Sequence, residues 1–114
     1  MPFINLKTTE KISKSVEKEL SEEFGRLIEL LPGKSDFWLM QCFEGEARMT
    51  FRSVSEEPTA MIEVSVFGKA PADCYEKLTF ALTSAVSKKL NVSPDRIYVK
   101  YTECDTWGYN GSNF

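Results

Sequence analysis

The chain repeats itself at an interval of about 59 residues, and this repeat restricts the fold more than any other feature. Lys34-Ser35-Asp36 in the first half stands where Ser93-Pro94-Asp95 stands in the second (93 − 34 = 59). The same interval pairs Leu31 with Leu90, Leu27 with Val86 and Val16 with Tyr75. Each half reads as strand, amphipathic helix, strand. The first predicts a strand over 3–7, a helix over 10–31 and a strand over 37–44; the second, a strand over 59–67, a helix ending near Leu90 and a strand over 97–102. In the first helix Ile12, Val16, Leu20, Phe24, Leu27, Ile28 and Leu31 share one stripe, and Pro32-Gly33 ends it. In the second, Tyr75, Leu78, Leu82, Ala85, Val86 and Leu90 do the same after Pro71. Residues 47–54 read as a further strand. Parallel β-α-β crossovers are right-handed, so two of them give a four-stranded sheet with both helices on one face, an α+β fold. The 114 residues make one domain of two pseudo-repeats, about 1–58 and 59–114.

The strand over 37–44 is apolar on both alternating sets, Phe37, Leu39 and Phe43 on one side and Trp38, Met40 and Cys42 on the other. That pattern predicts burial on both faces. With the helices all on one side, the expected cover for the other is a further copy of the chain.

Composition removes whole classes of chemistry. There is no histidine, so histidine-ligated zinc hydrolases, Ser-His-Asp triads and Cys-His pairs are excluded. Three widely spaced cysteines, Cys42, Cys74 and Cys104, form neither a disulfide framework nor a CxxC pair, and they read as structural. A net charge of -3 without a basic cluster argues against nucleic acid as a partner. No apolar run reaches membrane-spanning length and no signal peptide opens the chain, so no membrane partner and a cytosolic origin are expected. Gly33-Lys34-Ser35 looks like the end of a phosphate loop, but the glycine that motif needs at position 28 is Ile28, and the segment follows a helix. No metal or cofactor is expected.

What remains as a base is a carboxylate, a lysine, a tyrosine or an α-amine, and the Met1-Pro2 start singles out the last. Methionine is expected to be trimmed ahead of proline, leaving a secondary amine whose ring locks its torsion. The strand after it makes that amine part of a rigid element. Burial against apolar walls disfavours its charged form and suits it to act as a base near neutral pH. Lys34 follows a helix end, where a cation is favourable to the dipole. Tyr98 and Lys100 lie two apart on a strand and share a face. The tail carries Trp107, Tyr109 and Phe114 among turn residues, a load that predicts docking rather than disorder.

These residues resemble a known family. The Met-Pro start, the doubled β-α-β unit, Gly33-Lys34, Ser65-Val66-Phe67-Gly68-Lys69, Ser93-Pro94-Asp95-Arg96-Ile97-Tyr98 and Trp107-Gly108-Tyr109-Asn110-Gly111-Ser112-Asn113-Phe114 are together similar to the macrophage migration inhibitory factor and D-dopachrome tautomerase family of the tautomerase superfamily. The resemblance implies a homotrimer with active sites between neighbours. It implies keto–enol tautomerisation of phenylpyruvate-like or dopachrome-like carboxylates, with Pro2 as catalytic base. Lys34 matches the carboxylate-binding lysine. Phe67, with Val66 before it, stands where a backbone and apolar contact is made. Tyr98 and Lys100 match positions supplied by the neighbouring subunit, and Trp107 and Phe114 match pocket walls. The alternative it carries is a cytokine-like trimer that binds a protein receptor, with an idle pocket and export without a signal peptide. Lys100 replaces the usual asparagine, and Thr59 and Ile62 replace the CxxC of some members. The segment before Trp107 is also about two residues shorter.

Overall fold

The computed structural model describes all 114 residues. Its elements are β1 (Pro2–Thr8), α1 (Lys14–Leu27), a 3-10 turn (Ile28–Leu30), β2 (Met40–Glu44), β3 (Ala60–Phe67), α2 (Ala72–Leu90), a 3-10 turn (Pro94–Arg96), β4 (Ile97–Cys104), and the short pair β5 (Gly108–Tyr109) and β6 (Ser112–Asn113). The main sheet runs β2-β1-β3-β4. Within each repeat the strands are parallel, and β1 and β3 meet antiparallel at the centre. Alternation puts Ile4, Leu6, Ala60, Ile62, Val64 and Val66 into one core with Leu20, Phe24, Ile28, Leu78, Leu82 and Val86 of the helices. No helix is long and apolar enough to cross a membrane.

Buried positions refine the repeat. Leu20 matches Leu78, Phe24 matches Leu82 and Ile28 matches Val86, an interval of 58 (78 − 20) rather than 59. Only Leu31 and Leu90 keep 59. The extra residue comes from the helix ends. The first helix tightens to a 3-10 turn at Ile28–Leu30, so three residues carry the chain round from Ile28 to Leu31. The second stays α-helical to Leu90 and needs four from Val86.

Two of the predicted boundaries move with a visible cause. The first helix starts at Lys14, not residue 10, because the Ser13 hydroxyl caps it by accepting from the Val16 amide at 3.2 Å. The strand over 37–44 begins only at Met40. Residues 35–39 are drawn into turns by Trp38 N–H donating to the Ser35 carbonyl and Leu39 N–H to the Asp36 carbonyl. β2 is therefore an edge strand, and within one chain it is not buried on both faces. Phe43 stacks on Phe24 beneath the helices, while Phe37 is 81% exposed and Met40 68%.

Residues 47–54 form no strand, only a Phe51–Val54 bridge around left-handed Arg52 and Ser53. Their carbonyls go to a side chain instead of a ladder. The nearly buried Arg96 guanidinium donates to the carbonyls of Phe51 (3.1 Å), Val54 (3.0 Å) and Pro58 (3.0 Å) and to Thr59 Oγ1 (2.7 Å). Arg96→Met takes the donor from the Pro58 carbonyl and one of two donors from each of the Phe51 and Val54 carbonyls, and is expected to lower unfolding stability by about 3 kcal/mol. A urea midpoint equal to the parent's contradicts that assignment.

Candidate active site

Pro2 opens β1 from a buried position opposite Val66 of β3. The next β3 residue fixes the surroundings through its backbone. Phe67 N–H donates to the Met1 carbonyl at 3.2 Å, and the Phe67 carbonyl accepts from Lys34 Nζ at 2.8 Å. Lys34 can reach back because Gly33 is left-handed (φ 77°), which turns the chain after the first helix. Its amide is anchored to the Leu31 carbonyl. The start of β1 and the lysine ammonium are thus held on one backbone residue.

A cavity of about 930 Å³ opens here. Its floor is the end of the sheet: Met1, Pro2, Phe3, Ser65, Thr102 and Cys104. One wall is the turn carrying Phe37, Trp38 and Leu39 into β2; the other is the tail, with Trp107, Gly108 and Tyr109. Aromatic edges join the walls. Trp38 meets Tyr109 at 5.1 Å and 90°, and Phe37 meets Trp38 at 5.0 Å and 86°. The Met1 α-amine is pulled below its ordinary pKa, first by burial and then by the positive charge and hydrogen bonding of Lys34. Cys104 pushes weakly the other way.

The predicted site residues fall into three groups. Pro2 and Trp107 line the cavity, while Lys34 and Phe67 stand beside its Met1–Pro2 corner without lining it. Phe114 leans on Phe67, rings 5.9 Å apart, beside rather than inside the cavity. The Val66 side chain is fully buried among the helices, so only its backbone borders the site. Tyr98 and Lys100 sit elsewhere in the same chain. Tyr98 pairs with Met61 and Met61 with Lys7, about 16 Å along the strands from Pro2. Its ring packs on Phe51, and Lys100 Nζ lies 3.3 Å from Glu63, which Lys7 also approaches at 3.6 Å. Trp38, Tyr109, Ser65, Thr102 and Cys104 were not among the predicted residues. For Cys104 the signal was present, since it shares the Tyr98–Lys100–Thr102 face of β4.

The macrophage migration inhibitory factor (MIF) family model matches residues 1–114. Among solved structures, MIF2 of Leishmania major superposes with a TM-score of 0.93 at 24% identity, over 100% of this chain and 97% of that one. The MIF homologue of Prochlorococcus marinus gives 0.81 at 26% identity, over 98% of each chain. The MIF-like protein of Entamoeba histolytica gives 0.86 at 19%, over 99% and 98%. Pt0534, whose structure is of the protein inactivated by 2-oxo-3-pentynoate, gives 0.84 at 14%, over 96% and 93%. A comparison with curated proteins finds no match. Matched from its first residue to its last, the chain belongs to the macrophage migration inhibitory factor family, within the tautomerase superfamily.

Proposed function

We propose that the protein is a keto–enol tautomerase acting on phenylpyruvate-like or dopachrome-like carboxylates, with Pro2 as general base once Met1 is removed. The observation that supports this reading is the place of Pro2, buried at the start of β1 on the cavity floor, with the Lys34 ammonium held nearby on the Phe67 carbonyl; the Met1 α-amine in the same corner is already pulled below its ordinary pKa by burial and Lys34. Trimming Met1 moves the free amine to Pro2, one residue deeper and on a ring-locked backbone. A neutral secondary amine there takes the proton next to the substrate carbonyl, and the electron pair of the broken C–H bond moves into the enolate. The resulting ammonium then returns the proton to carbon or oxygen. Lys34 has three N–H donors and spends one on the Phe67 carbonyl, so two remain for the substrate carboxylate. Its charge also steadies the enolate. Trp38, Trp107 and Tyr109 line the cavity and offer an aryl substrate apolar contact. That Pt0534 is inactivated by an α-keto acid agrees with this ligand class. The test is ultraviolet absorbance of enolised phenylpyruvate, with the parent and with Pro2→Ala.

The trimer belongs to the same proposal. The helix-free face, with Phe3, Met40 and Met61, lacks a cover within the chain, and Tyr98 and Lys100 need a neighbour to reach a cavity like this one. Light scattering at micromolar concentration is expected to give three times the 13.0 kDa chain mass. A monomer contradicts it.

The second reading is a protein-binding trimer with an idle pocket. It applies to any molecule that keeps Met1, since the Pro2 nitrogen is then an amide and has no basic lone pair. Intact mass decides which form is present.

A further inference from the structure

The chain leaves β3 through a turn that is tied twice to the end of β4. Gly68 N–H donates to the Cys104 carbonyl at 3.0 Å, and Ala70 N–H donates to the Glu103 carboxylate at 3.2 Å. The same carboxylate oxygen accepts the Tyr75 hydroxyl at 2.7 Å. Tyr75 is itself held, because its carbonyl accepts from the Tyr101 hydroxyl at 3.1 Å and the two rings lie 4.6 Å apart. Glu103 thus joins the end of β4 to the turn before α2 and to the first turn of α2. Gly68 is where this matters. It is left-handed (φ 84°), a conformation glycine takes freely, and glycine takes the opposite hand as readily. Nothing in residue 68 fixes how the Phe67–Gly68 peptide is turned, so its partners do. The carbonyl and N–H of that peptide lie in one plane and point opposite ways. With the N–H on the Cys104 carbonyl, the carbonyl faces Lys34 Nζ and accepts from it at 2.8 Å.

From this we infer that Glu103 is a positioning residue for Lys34: its carboxylate pins the 68–70 turn, so the Phe67–Gly68 peptide keeps its carbonyl on the lysine ammonium, and the ammonium stays beside the Pro2 corner. The inference rests on the reading of Lys34 as partner of the substrate carboxylate. Glu103 acts through the backbone rather than by touching substrate. Alternation along β4 sets it on the helix-facing side with Tyr101, opposite the cavity floor to which Thr102 and Cys104 belong. The bond from Tyr75, then that from Ala70, holds the Glu103 carboxyl below the usual carboxylate range. Burial and the same bond push the Tyr75 phenol up to about 12. The carboxylate therefore stays charged and the phenol protonated wherever an α-amine can work as a base.

The test compares Glu103→Ala, which removes the acceptor of both bonds, with Glu103→Gln, whose amide oxygen can accept them from the same place. Two readouts are taken, one of which needs no catalysis. By NMR, the Lys34 ammonium protons are expected to exchange with water on the order of 10-fold faster in Glu103→Ala, the worth of one hydrogen bond, and at close to the parent rate in Glu103→Gln. In the phenylpyruvate assay, Glu103→Ala is expected to raise KM roughly 3- to 10-fold while kcat on the alkaline plateau stays near the parent's. Glu103→Gln should restore the parent KM. A purely structural role would lower the urea midpoint and leave both readouts alone. If no form enolises phenylpyruvate, the tautomerase reading fails, and the ammonium exchange by itself decides the positioning role. Parent-like ammonium exchange in Glu103→Ala, a parent-like KM in that variant, or a raised KM that Glu103→Gln does not restore overturns it.

Discussion

Replacing Pro2 with alanine is expected to cut kcat/KM for phenylpyruvate enolisation by about 10²–10⁴-fold, the usual worth of a positioned general base. The substitution is stringent because alanine also permits removal of Met1 and leaves an α-amine at the same point in the chain. What is lost is the ring. Pro2 enters β1 with its torsion fixed and is buried opposite Val66. An alanine amine at that end can rotate away and hydrate, which misplaces the lone pair and raises its pKa toward the ordinary range. The β1 ladder from Phe3 onward is untouched, so the variant should unfold in urea near the parent. Activity within a few-fold of the parent would contradict the role given to the proline ring.

Lys34→Ala should cost on the order of 10²–10³ in kcat/KM, and in a way that separates its two roles. Loss of the carboxylate partner raises KM. Loss of the positive charge acts on the base. Lys34 lowers the pKa of the Met1 α-amine, and the same charge is expected to act on the Pro2 amine exposed in its place, so its removal should let that pKa rise. The rate follows the neutral amine and therefore increases with pH through this pKa. The rising limb should move to higher pH in the variant, with the deficit largest below neutrality and smaller on the alkaline plateau. A limb that stays in place while KM rises would leave Lys34 as a carboxylate anchor alone.

The parts of the fold legible in the sequence were those decided by local pattern. The helical stripes around Leu20–Phe24 and Leu78–Leu82 are consequences of period: their central residues are buried, and Ile12, Val16, Leu27 and Tyr75 pack against them partly buried. What escaped depends on partners distant in sequence. Residues 47–54 have the composition of a strand, but Arg96 takes their carbonyls. Phe37 and Trp38 look like strand residues, but turn bonds accepted by the Ser35 and Asp36 carbonyls leave them on the cavity wall. The one-residue change in repeat interval came from a 3-10 turn that hydrophobic spacing alone does not distinguish from an α-helical one. At the site, the Met1-Pro2 start singled out an α-amine because a chain without histidine has few bases, whereas a role for Lys34 came only from the family resemblance. Trp38 and Tyr109 meet only after folding, and Cys104 passed for structural although its place on β4 puts it on the cavity floor.

The measurement closest to the central claim is the phenylpyruvate assay on two species of the same protein resolved by intact mass, one ending in Pro2 and one still carrying Met1. The account predicts that the rate belongs to the first and vanishes in the second, where the same nitrogen is an amide. Equal rates for both would contradict it.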